Sequence, residues 1–169
     1  MTAPTKSETA QVFRVYIKST PQAVWEAITR PEWTERYGYC TRNEFEPGVQ
    51  AGASFRGLSN EGMRAMGAPE VAVDGEVIEA DPPRKLVHTF RMAMDPETAA
   101  EGFTRVTYDI AVVNGLCKVT VTHEVTNAPR MAYIVSGGME EQMGTAGGGW
   151  SLVLSELKTL LETGKSFRD

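Results

Sequence analysis

Two histidines, two cysteines and Tyr108 are the groups in this sequence from which chemistry could be built. His88 alternates with Leu86 and Phe90, and His123 alternates with Val119 and Val121. Residues two apart on a strand share a face, so both imidazoles are expected to point inward among apolar neighbours. A buried imidazole with a pKa near neutrality can act as a general base or contact a ligand. The plainer reading, which the residues favour, is a ring satisfied by one hydrogen bond in a pocket wall. A metal site would need His88, His123, Cys40 and Cys117 to converge, and no CxxC or HxxxH spacing supports that, so no metal is expected. A cysteine–histidine nucleophile has the same weakness. Cys117 reads as a small core residue and Cys40 as an unactivated loop thiol. Glycine-rich residues 144–149 lack the lysine and the preceding strand of a phosphate loop, so they read as a thinning of the backbone. Alternation puts Glu124 outward. No residue is assigned a catalytic role, and no cofactor is expected.

The elements that must position these side chains follow from periodicity. Trp150, Val153, Leu154, Leu157, Leu160 and Leu161 recur at the spacings of one helical face, and Gly164 supplies a C-terminal stop. Met139 and Met143 continue that face, which predicts one helix over residues 139–163, kinked at Gly147-Gly148-Gly149. Residues 11–18 alternate as a strand. Thr20-Pro21 starts a short helix, Arg30-Pro31 interrupts it, and a second short helix runs on to a stop at Gly38. Strands are expected over 52–57, 71–80, 86–92, 103–113 and 116–125. Asn114-Gly115 joins the last two as a two-residue hairpin. Residues 58–69 and 94–102 read as loops. These patterns require an α+β architecture: an antiparallel sheet of six or seven strands, one apolar face covered by the C-terminal helix, and two short helices after the first strand.

Bulk properties exclude several classes of function. A chain of 169 residues with 41% hydrophobic and 23% charged residues is expected to form one domain, 11–164, between tails at 1–10 and 165–169. The net charge of -5, with no Lys/Arg cluster, argues against nucleic acid and anionic membranes. No apolar run reaches the ~20 residues of a membrane span. The first ten residues lack a secretory core, so the cytoplasm is the expected location, with both thiols reduced.

The order of strand, helix pair, sheet and long C-terminal helix resembles the START-like (SRPBCC, Bet v 1-like) helix-grip superfamily. Four stretches are similar to the branch named after the activator of the ninety-kilodalton heat-shock-protein ATPase. They are Ser19-Thr20-Pro21 through Val24-Trp25 with Pro31-Glu32, Asp74-Gly75-Glu76-Val77 leading to Asp81-Pro82-Pro83-Arg84-Lys85-Leu86-Val87, Val119 through Glu124, and Gly149-Trp150 through Glu162. The likeness covers residues 11–164. It implies a curved sheet wrapped on the helix. The superfamily it points to mixes lipid carriers, cyclases and binding proteins.

The reading favoured here is non-catalytic binding of a small apolar or amphipathic ligand between sheet and C-terminal helix. Its expected wall is Trp33, Phe55, Met66, His88, Phe90, Tyr108, His123, Met139, Met143 and Trp150. Methionine suits such a site because it adapts to irregular apolar shapes. Two rivals stand beside it. The resemblance implies a co-chaperone acting on a heat-shock ATPase. The side chains alternatively allow a small cyclase or dehydratase using His88 or His123 with Tyr108. Oligomeric state is left open.

Overall fold

A computed structural model describes residues 9–169 of the chain. The expected tail at 1–10 therefore falls largely outside the described residues, and the first strand already begins at its last member. Strand β1 (Ala10–Ile17) leads through α1 (Pro21–Thr29) and α2 (Pro31–Thr34) to β2 (Arg42–Glu46) and β3 (Ser54–Leu58). Then come α3 (Glu61–Ala65), β4 (Val71–Asp81), β5 (Lys85–Met92), α4 (Pro96–Ala100), β6 (Thr104–Val113) and β7 (Leu116–Glu124). The chain closes with α5 (Pro129–Val135), α6 (Glu140–Met143), a 3-10 turn (Gly144–Gly147) and α7 (Gly149–Thr163).

The seven strands form one antiparallel sheet in the order β1-β7-β6-β5-β4-β3-β2. This is the helix-grip α+β arrangement. Because β1 and β2 are opposite edges, α1 and α2 must carry the chain across the sheet. The Thr20 side chain caps α1 by accepting from Ala23 N–H at 3.1 Å, with Pro21 in the first turn. Arg30, extended ahead of Pro31, separates the two helices. The β6–β7 turn has φ of 50° at Asn114 and 76° at Gly115, the left-handed pair that a two-residue hairpin requires. The core gathers between the sheet and α1, α5 and α7, around Ile17, Val24, Val106, Val119, Met131, Leu154 and Leu157. Cys117 is fully buried within it.

Four expectations need correction. The single helix over 139–163 is broken, and α7 begins only at Gly149. Gly149 has φ +63°, and a Cβ there would collide with the Val135 carbonyl, so the chain folds back tightly on α5 and turns sharply into α7. The second short helix ends at Thr34, and Gly38 lies in the turn beyond it. The loops at 58–69 and 94–102 each hold a one-turn helix, capped by Asn60 and Asp95 respectively. Glu101 then accepts from the N–H groups of Arg130 and Met131, tying the second segment to the start of α5. Finally, residues 165–169 do not hang free: Ser166 is buried, and Arg168 reaches back to Gly38 and Glu156.

Candidate functional site

Strand register brings the two histidines onto one row. His88 of β5 pairs with Val106 of β6, which pairs with His123 of β7. Two strand spacings, about 10 Å, thus separate the imidazoles on the inward face. The next row carries Leu86, Tyr108 and Val121. Around them the rings make a continuous chain. Phe45 meets Phe55 at 5.2 Å between centroids, Phe55 meets His88 at 4.4 Å, and His88 lies 6.1 Å from Tyr108. Tyr108 meets Trp150 edge-on at 5.8 Å, and Phe90 meets His123 edge-on at 5.6 Å. The aromatic strip therefore runs from the β2 edge to the first turn of α7. Edge-to-face and offset contacts of this kind suit the ring quadrupoles.

His123 has both nitrogens occupied. Trp150 Nε1–H donates to His123 Nδ1 at 3.0 Å, and His123 Nε2 lies 2.7 Å from Thr104 Oγ1. Indole nitrogen can only donate, so Nδ1 must be the lone-pair nitrogen and Nε2 must carry the proton. Thr104 accepts from it and donates onward to the Phe90 carbonyl at 2.9 Å. The relay joins α7 to β7, β6 and β5. His123 is completely buried, and burial, helped by the repulsion that two protonated rings would exert on each other, pushes its pKa down to about 3. A neutral ring with both nitrogens engaged is a strut between helix and sheet. It has no free position at which to exchange a proton with a substrate.

His88 is different. Its Nδ1 lies 2.8 Å from the Thr89 carbonyl, which can only accept, so Nδ1 carries the proton and Nε2 the lone pair. Burial lowers the pKa to about 4 against the opposing pull of that carbonyl, so the ring is neutral at pH 7. Among the described residues, nothing hydrogen-bonds to Nε2 of His88 or to the Tyr108 hydroxyl. Neither atom is sealed by packing. Burial also raises the pKa of Tyr108, which keeps its hydroxyl protonated.

The family description that matches this sequence is "Activator of Hsp90 ATPase homolog 1-like protein", over residues 18–162. The chain belongs to that family. A search among curated proteins finds no match. Solved structures share the fold at low identity. CalU16 from Micromonospora echinospora is 16% identical with a TM-score of 0.63, over 94% of this chain and 68% of that one. The Aha1 dimer from Colwellia psychrerythraea is 18% identical with a TM-score of 0.62, over 94% of this chain and 100% of that one. DynU16, from the dynemicin biosynthetic locus, is 20% identical with a TM-score of 0.62, and the match covers 94% of this chain but 49% of DynU16.

In this family member, six of the ten residues expected to line a site fall on or beside the ring chain: Phe55, His88, Phe90, Tyr108, His123 and Trp150. Trp33 is half-buried against the core, with the Arg36 guanidinium 5.5 Å from its ring centroid. Met139 is half-buried in the turn before α6. Met66 is 91% exposed and Met143 54% exposed, so neither belongs to the buried wall. Met66 stands just past the one-turn helix α3, and Met143 ends α6, ahead of the break that precedes α7. Phe45 and Thr104 were not anticipated. Thr104 had a signal, since it alternates with Val106 and Tyr108. Phe45 had little, because Arg42–Glu46 is mostly polar. Two surface depressions, of about 240 Å³ between β1 and α7 and about 540 Å³ beside α5, lie away from this cluster. Among the described residues there is no group of three or more His, Cys, Asp or Glu able to hold a metal ion. None of their helices is long and apolar enough to cross a membrane.

Proposed function

We propose that this protein binds a small apolar or amphipathic molecule on the aromatic strip between the sheet and α7. The observation that carries the reading is incomplete cover. Fifteen residues of α7 span about 22 Å at about 1.5 Å per residue, whereas seven strands extend over about 29 Å. The main contacts of α7 are with β1, α1 and α5. Phe45, Phe90, Met92 and Tyr108, farther along the sheet, are only half-buried. Apolar rings with polar atoms between them are the composition expected of a small-molecule site. DynU16's place in a biosynthetic locus is consistent with small-molecule chemistry. His123 is unsuited to the cyclase or dehydratase alternative, because both its nitrogens are engaged, which leaves His88 with Tyr108 as the pair that reading would need.

Native mass spectrometry of freshly purified protein tests the reading, with denatured mass as reference. A small added mass released on unfolding supports it, and Tyr108→Ala and Trp150→Ala should both reduce that mass. Retention of the ligand in both variants would place it elsewhere. The family description keeps a co-chaperone role as the second reading, and stimulation of a heat-shock ATPase by the purified chain would favour it.

A further inference from the structure

The polar groups of the strip define which ligand it suits. His88 is 3% exposed and its ring is held by Nδ1–H on its own strand, so its orientation is set before anything binds. Its remaining nitrogen is a hydrogen-bond acceptor without a donor among the described residues, and the ring that carries it lies, centroid to centroid, 4.4 Å from Phe55, 6.1 Å from Tyr108 and 6.3 Å from Phe90. A lone pair in an apolar surround is unfavourable unless something donates to it. The Phe55 and Phe90 rings offer it only C–H and π surface, and the Tyr108 hydroxyl makes no hydrogen bond to it. We propose that the space beside His88 takes a neutral aromatic ligand carrying a hydroxyl or N–H donor, a phenol being the simplest case. The donor meets Nε2 of His88, and the ring lies among Phe55, Phe90 and Tyr108.

The same geometry selects against the commonest amphipathic molecules. A carboxylate would bring negative charge to a lone pair, with no cation among the rings described here to offset its desolvation. Fatty acids and aromatic acids are therefore disfavoured relative to alcohols and phenols of equal size. A pure hydrocarbon gains the ring contacts but leaves Nε2 without a donor.

This inference rests on the ligand-binding reading above, and three probes separate the two. Equilibrium dialysis of the full chain against naphthalene, naphthol and naphthoate compares one ring system bearing no polar group, a donor and a carboxylate. Naphthol is expected to bind about tenfold more tightly than naphthalene, with naphthoate weakest. In His88→Phe the naphthol advantage should shrink to within about twofold while naphthalene still binds. Equal binding of naphthol and naphthalene to the native protein keeps the site but overturns the donor, as expected if a fixed water satisfies Nε2. Preference for naphthoate overturns it as well. Failure of all three removes the binding reading together with the inference. Should His88→Phe not fold, the ring-nitrogen resonances of His88 in the native protein decide the matter. The lone-pair nitrogen signal should move upfield with naphthol and stay fixed with naphthalene; no shift with bound naphthol overturns the proposal.

Discussion

Glu156 and Arg168 together satisfy both backbone groups of a single residue. Glu156 Oε1 accepts from the Gly38 N–H at 2.9 Å, and Arg168 Nη2 donates to the Gly38 carbonyl at 2.6 Å. The two side chains also face each other at 3.4 Å. Glu156 is 1% exposed on α7, so its carboxylate leaves water only because these partners replace it. The last residues of the chain thus hold the turn between α2 and β2 against the helix.

Removing the two members of that clamp should have unequal effects. Arg168 is nearly half-exposed, so Arg168→Ala is expected to cost only about 1 kcal/mol after solvent screening. Glu156→Ala leaves the Gly38 N–H unpaired and opens a cavity, and should cost about 3 kcal/mol. Urea denaturation of both variants checks this, and equal small losses would show that the clamp is incidental.

The two histidines should be found in opposite tautomers. The hydrogen bonds assign the proton of His88 to Nδ1 and that of His123 to Nε2. Ring-nitrogen NMR at pH 7 reads this directly. Two identical tautomers, or a protonated ring, would contradict the network. Thr104→Val tests the strut itself: it strands the His123 N–H in the core and should cost about 1–3 kcal/mol.

Stability should fall as the solution is acidified from about pH 6.5 towards pH 4. Both histidines have folded pKa values below the unfolded value, at about 4 for His88 and about 3 for His123. In that window the unfolded chain binds protons that the folded chain refuses, so unfolding is favoured as pH drops. Each histidine contributes a slope of up to about 1.4 kcal/mol per pH unit, and neither contributes well above pH 7. Thermal melts at pH 7, 6 and 5 should show the decline, roughly halved in slope in His88→Phe. Below pH 4, Asp95 and Glu162, whose carboxyls are held low by Thr98 and by Lys158, lose their own stabilisation in the same direction.

Gly149→Ala is expected to be among the more damaging single changes in the C-terminal half. It demands a left-handed backbone of an alanine and drives its Cβ into the Val135 carbonyl. A loss above about 2 kcal/mol is expected, because strain and steric shift add. A neutral effect would mean that α7 can start elsewhere.

Much of this arrangement was readable in advance, and the exceptions have physical causes. The Asn114-Gly115 turn sets the β6–β7 register outright. Pairing Val113 with Leu116 forces Val106 opposite His123, so one half of the histidine row follows from the sequence. The other half does not, because residues 94–102 leave the β5–β6 offset open. Strand β2 was missed because Arg42-Asn43-Glu44-Phe45-Glu46 offers one large apolar side chain. The early start given to the last helix came from reading Met139 and Met143 as an extension of its face. That pattern is real in spacing, but Gly144 and Gly149 take positive φ and break the backbone between them. The indole–imidazole contact was out of reach altogether, since nothing local specifies where Trp150 meets β7.

That contact gives the protein an internal light source at the right place. Trp150 lies with its N–H held by His123 and its ring edge-on to Tyr108, whose own ring lies 6.1 Å from that of His88. Indole emission changes colour and intensity with the polarity around the ring. Occupancy of the strip can therefore be followed without a label, and Trp150→Phe identifies how much of the signal comes from Trp25 and Trp33 instead.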